Sequence, residues 1–125
     1  MPNHIGNVYK FSSAKVAKRD SRAKYHLAID LNCGFLLFVN SEPFDGAMQI
    51  DRNDWPEMPN QDSFISCNAA VRYSKSDWKG IEITAHGRMT DDCLRRLCGH
   101  LEKSIVMPVG DIGIAVKALL GFFDT

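Results

Sequence analysis

The sequence has no long hydrophobic run. In 125 residues the longest unbroken apolar stretch is Phe35 to Val39, far short of the roughly 20 residues a membrane-spanning helix requires, so no membrane span is expected. The opening residues, Met-Pro-Asn-His-Ile-Gly, lack the basic start and apolar stretch of a secretion signal, and a cytoplasmic location is the expectation. Paired cysteines are also missing. Cys33, Cys67, Cys93 and Cys98 fall at irregular intervals with no Cys-x-x-Cys, which points to reduced thiols rather than a disulfide framework. There is no Gly-x-x-x-x-Gly-Lys-Ser/Thr loop, which excludes P-loop nucleotide hydrolysis, and no Gly-x-Ser-x-Gly elbow. Net charge is absent too, with 15 Lys+Arg against 15 Asp+Glu. What is present is 45% hydrophobic residues, enough for one soluble domain with a single core and too many for a mainly disordered chain. Residues 1–125 are therefore read as one domain.

The charge balance is a sum of two unlike regions. Lys10 to Lys24 holds six basic residues and one acidic, a local +5; Glu42 to Asp62 holds six acidic residues and one basic, a local −5. Such runs are usually solvated loops. The alternative is a basic surface for phosphates beside a segment that screens or orients it.

Periodicity divides the chain into strands and then helices. Ile5 to Phe11 reads as a first strand, followed by a polar, basic loop over Ser12 to Ala23. In Tyr25 to Leu31, Tyr25, Leu27, Ile29 and Leu31 share one face and His26, Ala28 and Asp30 the other. Asn32-Cys33-Gly34 then turns into Phe35 to Asn40, so these strands form a hairpin buried on both faces. Ala47 to Asp51, Ser63 to Cys67 and Gly80 to Ala85 complete six short strands, the pattern of a small antiparallel barrel. After Gly87 the period changes. Thr90 caps a helix from Asp91 to Ile105, with Asp91 and Asp92 at its positive end and Leu94, Leu97, Cys98, Leu101 and Ile105 along one face. A second helical segment is expected from about residue 111, with Gly113 weakening it.

Metal binding gains little support. Cys93 and Cys98 are five residues apart on a helix, about 500° of rotation, and so point roughly 140° apart; no second pair has metal-ligand spacing. The hairpin offers more. Residues just before its first strand and just after its second lie at the same end of the sheet, which brings Arg22 and Lys24 near Asn40 and Ser41. A cation with a hydroxyl and an amide can hold a phosphodiester. RNA supplies its own nucleophile, the 2′-OH, so metal-independent cleavage needs positioning, a base and an acid. His26, one strand period beyond Lys24, is a candidate acid or base, or else a residue that merely packs or meets solvent.

Four motifs in this order resemble the MazF/PemK family of toxin–antitoxin endoribonucleases. Ile5-Gly6-Asn7-Val8-Tyr9 is similar to the family's opening Gly-Asp-Val/Ile-Tyr strand, and Arg22 to Ile29 to its Arg-Pro plus apolar strand. Phe38-Val39-Asn40-Ser41 resembles the strand ending in Thr-Ser, and His86-Gly87-Arg88-Met89-Thr90 the Gly-Arg-Leu-Ser/Thr helix start. The likeness runs over about residues 5 to 107. It implies an α+β, mainly β fold, a small antiparallel SH3-like barrel with one or two C-terminal helices. It further implies a homodimer that cleaves single-stranded RNA without metal or cofactor and is inhibited by an antitoxin protein. Carried over by position, Arg22 and Ser41 take the family's catalytic places, while Cys67-Asn68 and Arg72 lie where some members carry a Cys-Asp pair and a following arginine. The proline after the family's arginine is absent here, which leaves Arg19 or Lys24 as alternatives to Arg22. The resulting assignment is Arg22, Ser41 and His26 as catalytic, and Arg19, Lys24, Asn40, Asn68 and Arg72 as RNA contacts. The competing expectation is a catalytically silent barrel of the same class that binds protein or nucleic acid.

Overall fold

The computed structural model describes residues 4–12, 23–43, 45–59, 62–78 and 81–124. Among the described residues, seven strands precede two helices: β1 (Asn7–Phe11), β2 (Lys24–Asp30), β3 (Phe35–Asn40), β4 (Met48–Ile50), β5 (Ser63–Ile65), β6 (Val71–Arg72), β7 (Thr84–Arg88), α1 (Asp91–Glu102) and α2 (Val109–Phe123). They form one antiparallel sheet in the order β4-β5-β3-β2-β1-β7, with β6 also paired to β3. The α+β class, mainly β with two C-terminal helices, is as the sequence predicts.

The hairpin β2–β3 is the spine. Its register sets Tyr25 opposite Val39 and Leu27 opposite Leu37, and its turn closes at Gly34, where φ is +67 and a Cβ would meet the Tyr73 carbonyl oxygen at 1.8 Å. Only glycine fits both demands. Both faces are covered, as the unbroken hydrophobicity of β3 requires. On one face Val8, Leu27, Ile29, Leu37, Val39 and Ile65 meet Leu94, Leu97 and Leu101 of α1. On the other, Phe11, Leu36, Val71 and Tyr73 form a second, smaller cluster, with Tyr9, Phe38, Trp78 and Ile81 packed against it.

Several boundaries differ from the periodic reading. β5 bonds to Val39 and Asn40 and β6 to Phe35 and Leu36, so 66–70 is a bulge beside the middle of β3; a two-residue strand carries too little pattern to be read. The strand expected at Gly80 to Ala85 lies at Thr84–Arg88 instead. Ile81 instead donates its N–H to the carbonyl of Trp78, the last residue of the 3₁₀ turn Ser76–Trp78. β7 is mostly exposed and follows β1 by backbone pairing, not by apolar alternation. α1 stops at Glu102, short of Ile105, because the Ser104 hydroxyl accepts the Val106 and Met107 N–H groups and turns the chain. Ile105 is 96% exposed.

α2 forms despite Gly110, Gly113 and Gly121, each of which costs about 1 kcal/mol against alanine. Tertiary contacts hold it. Asp111 accepts a 2.6 Å bond from Arg72 on β6, while the guanidiniums of Arg88 on β7 and Arg95 on α1 lie 5.3 and 4.4 Å from the Phe122 and Phe123 ring centres. The path β6-β3-β2-β1-β7 has four interstrand spacings, roughly 19 Å; eleven helical residues rise roughly 17 Å. α2 therefore crosses the sheet at the hairpin-turn end.

The two outermost strands, β4 and β7, are not paired with each other among the described residues. The acidic segment spans part of that interval. Trp55, fully buried, donates its indole N–H to the His86 carbonyl at 2.9 Å, Thr90 N–H donates to the Asp54 carbonyl, and Arg96 of α1 pairs with the Asp54 carboxylate.

Candidate functional site

The sheet end opposite α2 holds the residues that the hairpin argument brought together. β1 sets Phe11 opposite Lys24, and β2–β3 sets Tyr25 opposite Val39. Antiparallel pairing makes Lys24 and Asn40 the next positions at that end. Asn40 also pairs with Phe64 of β5, and Ser41 follows it, exposed. Lys24, Asn40 and Ser41 thus share one corner, with Glu42 exposed immediately after. Arg19 and Arg22 lie outside the described residues.

The remaining candidates sit elsewhere. His26 is fully buried, its ring stacked on Phe11 at 3.8 Å and flanked by Phe38 at 5.0 Å and Tyr73 at 5.9 Å. Its Nδ1 lies 2.9 Å from the Lys24 carbonyl, which can only accept, so Nδ1 carries the proton; Nε2 then accepts from the Tyr73 hydroxyl at 3.3 Å. Burial pushes its pKa down to about 4, against a smaller upward pull from the Lys24 and Tyr9 carbonyls, and the imidazole is neutral at pH 7. Arg72 pairs with β3 at Phe35. Five residues separate Phe35 from Asn40, about 17 Å along an extended strand. The guanidinium of Arg72 is bonded to Asp111 and lies 5.5 Å from the Phe35 ring centre. Asn68 sits on the bulge, its Oδ1 accepting from the Ser66 hydroxyl at 2.6 Å. The structure thus groups Lys24, Asn40 and Ser41 and separates them from Arg72, with Asn68 beside the middle of β3 and His26 inside the second cluster.

The acidic stretch divides by function. Asp51 Oδ1 accepts the N–H groups of Asn53 and Asp54, closing a turn, while Asp54 is matched by Arg96. Trp55 packs edge-on against Tyr25 and His86, at 5.4 and 5.8 Å. This segment leans on β7 and α1. Asp62 instead accepts from Gln49, tying β4 to β5.

No group of three His, Cys, Asp or Glu side chains suited to a metal ion occurs among the described residues. The four cysteines are free. Burial pushes the thiols of Cys67 and Cys93 up to about 12, leaving them protonated and poor nucleophiles at neutral pH. Two open depressions, of about 120 and about 410 Å³, share Leu31 and Trp78; the larger lies at the hairpin turn, and the smaller extends along β1 to Phe11, the strand partner of Lys24. Among the described residues no helix is long and apolar enough to cross a membrane.

Sequence reasoning missed Tyr73, which closes over His26, and Asp111, which holds Arg72. Neither leaves a local signal, since each meets its partner across at least 39 residues. The chain matches no protein-family profile, no curated protein and no solved structure.

Proposed function

We propose that the chain is a MazF/PemK-like toxin with an SH3-like barrel, a metal-independent endoribonuclease that cleaves single-stranded RNA at the Lys24–Ser41 corner. The observation that carries this reading is the convergence of a cation, an amide and an exposed hydroxyl at one sheet end, with Arg22 two residues before Lys24. In the reaction the 2′-oxygen attacks phosphorus and the P–O5′ bond breaks, giving a 2′,3′-cyclic phosphate and a 5′-hydroxyl. One proton leaves the 2′-OH and one is delivered to the 5′-oxygen. Arg22 and Lys24 stabilise charge on the non-bridging oxygens, and Ser41 and Asn40 position the phosphate. A homodimer, an antitoxin partner and a cytoplasmic location belong to the same reading.

The test is cleavage of end-labelled single-stranded RNA in EDTA. Wild type yields cyclic-phosphate ends, and Arg22→Ala lowers the rate by roughly 100-fold, the loss typical of one transition-state donor. Intact RNA at high protein concentration sinks the reading.

One observation favours a second reading, a barrel that binds without turnover. His26, the candidate acid or base, is engaged by Tyr73, and Arg72, an expected RNA contact, by Asp111. That reading predicts salt-sensitive RNA binding with no cleavage.

A further inference from the structure

A buried histidine whose two ring nitrogens are both bonded is normally a core residue, and His26 is enclosed by Phe11, Phe38 and Tyr73. The bond partner of its Nδ1, however, is the main chain of Lys24, the residue that brings positive charge to the corner. Its Nε2 reaches Tyr73, which is tied in turn to the hairpin turn through its N–H to the Gly34 carbonyl at 2.9 Å. A continuous line of hydrogen bonds therefore runs from the hairpin turn through Tyr73 and His26 to the corner, at the other end of the same strands.

We propose that His26 is a positioning residue for this corner: it clamps the Lys24 carbonyl to Tyr73, so that Lys24 is presented to a phosphodiester only while both ring nitrogens hold their bonds. The inference rests on reading the corner as an RNA site, but the clamp itself is a separate statement about the protein. The neutral ring sets the direction of the line: a doubly protonated ring keeps its Nδ1–H on the Lys24 carbonyl but has no acceptor at Nε2, so the Tyr73 hydroxyl must turn from donor to acceptor. Few charged groups bear on the ring. β1 contributes Tyr9 and Phe11, β3 contributes Phe38, and residues 73–78 contribute the Tyr73 phenol, with Trp78 behind it against Phe11 and Tyr73. Asp77 of that turn is bonded to Ser74. Lys24 is the charged neighbour on the same strand. The ring's depressed pKa follows first from burial, which keeps the ring neutral at pH 7; protonation near pH 4 reverses its bond to Tyr73.

Two measurements test the clamp on the full chain. The first is NMR without RNA. The amide nitrogen of Tyr25 shares a peptide group with the Lys24 carbonyl and reports its hydrogen bond. Between pH 7 and pH 4 it should titrate together with the His26 ring nitrogens, and at pH 7 it should shift in Tyr73→Phe. The second is binding of oligouridylate, whose bases take up no proton in this range, with folding checked by circular dichroism at each pH. His26→Leu should weaken binding at pH 7 on the order of tenfold, the scale of one displaced charge contact. His26→Asn, which retains an N–H donor, should restore binding at pH 7. A Tyr25 resonance that ignores both the His26 titration and Tyr73→Phe overturns the clamp. So does a folded His26→Leu protein that binds as wild type does. If wild type fails to bind oligouridylate while Tyr25 follows His26, the clamp stands and the RNA reading falls.

Discussion

The two ends of the sheet carry different cations in different settings. At the hairpin-turn end, Arg72 is held by the Asp111 carboxylate, Arg88 by Asp91 and the Phe122 ring, and Arg95 by the Phe123 ring. At the other end, Lys24 stands beside Asn40 and an exposed Ser41. Counting arginines gives the first end the stronger claim to a polyanion, but those arginines are already engaged. A guanidinium already bonded to a carboxylate, or seated over an aromatic ring, must give up that contact before it can meet a phosphate.

This contrast breaks most sharply at α2. Leu119 of this helix is fully buried, and Leu119→Ala should cost about 2–5 kcal/mol, read by urea denaturation. RNA affinity at a temperature where the variant is folded should be unchanged. A loss of affinity in the folded variant would mean that the helix end is also a binding surface.

Acid should act on the opposite end. The folded His26 resists protonation down to about pH 4, whereas an unfolded histidine takes up its proton near 6.5. Between those values the unfolded state holds more protons, so stability falls as pH falls, by about 1.4 kcal/mol per pH unit. Going from pH 7 to pH 5, wild type should lose about 2 kcal/mol more than His26→Leu does. Equal losses would show that His26 already titrates normally in the folded protein.

Smaller effects refine the comparison. Lys24→Ala should weaken oligouridylate binding on the order of tenfold and reduce the slope of log affinity against log salt by about one. Its stability should change by about 0.5 kcal/mol or less. The Arg72–Asp111 pair, with side chains 50% and 21% exposed, should give a coupling energy of about 1 kcal/mol or less in a double-mutant cycle, with RNA affinity untouched in either single variant.

What the sequence discloses follows the range of the interaction. β2, β3 and the start of α1 depend on alternation, a glycine turn and a threonine cap, all carried within a few residues, and each is legible. Thr90 does accept the Cys93 N–H at 3.2 Å. The corner was legible for a similar reason, since a hairpin fixes which residues share an end. The setting of His26 was not. Alternation places it with Ala28 and Asp30 on the second face, but whether that face is wet or dry depends on Tyr73, Trp78 and Ile81 packing over it. The partner of Arg72 lies 39 residues along the chain, on a helix whose glycines weaken its local signal. The barrel expectation met the same limit. The antiparallel order is present, yet β4 and β7 reach each other through the Trp55 segment rather than through a ladder.

That Trp55 contact also bears on how the molecule meets others of its kind. The β1–β7 pairing steps from Asn7–Arg88 to Tyr9–Ala85, setting His86 and Gly87 against the single residue Val8 and bending an outer strand. The indole N–H then occupies the His86 carbonyl, and Glu57 lies so close to Gly87 that a Cβ there would meet its carboxylate oxygen at 2.2 Å. An outer strand with unclaimed carbonyls is a template on which a neighbouring chain can add a strand. By bending β7, claiming a carbonyl and laying a carboxylate beside it, the acidic segment makes that edge a poorer template for a further strand.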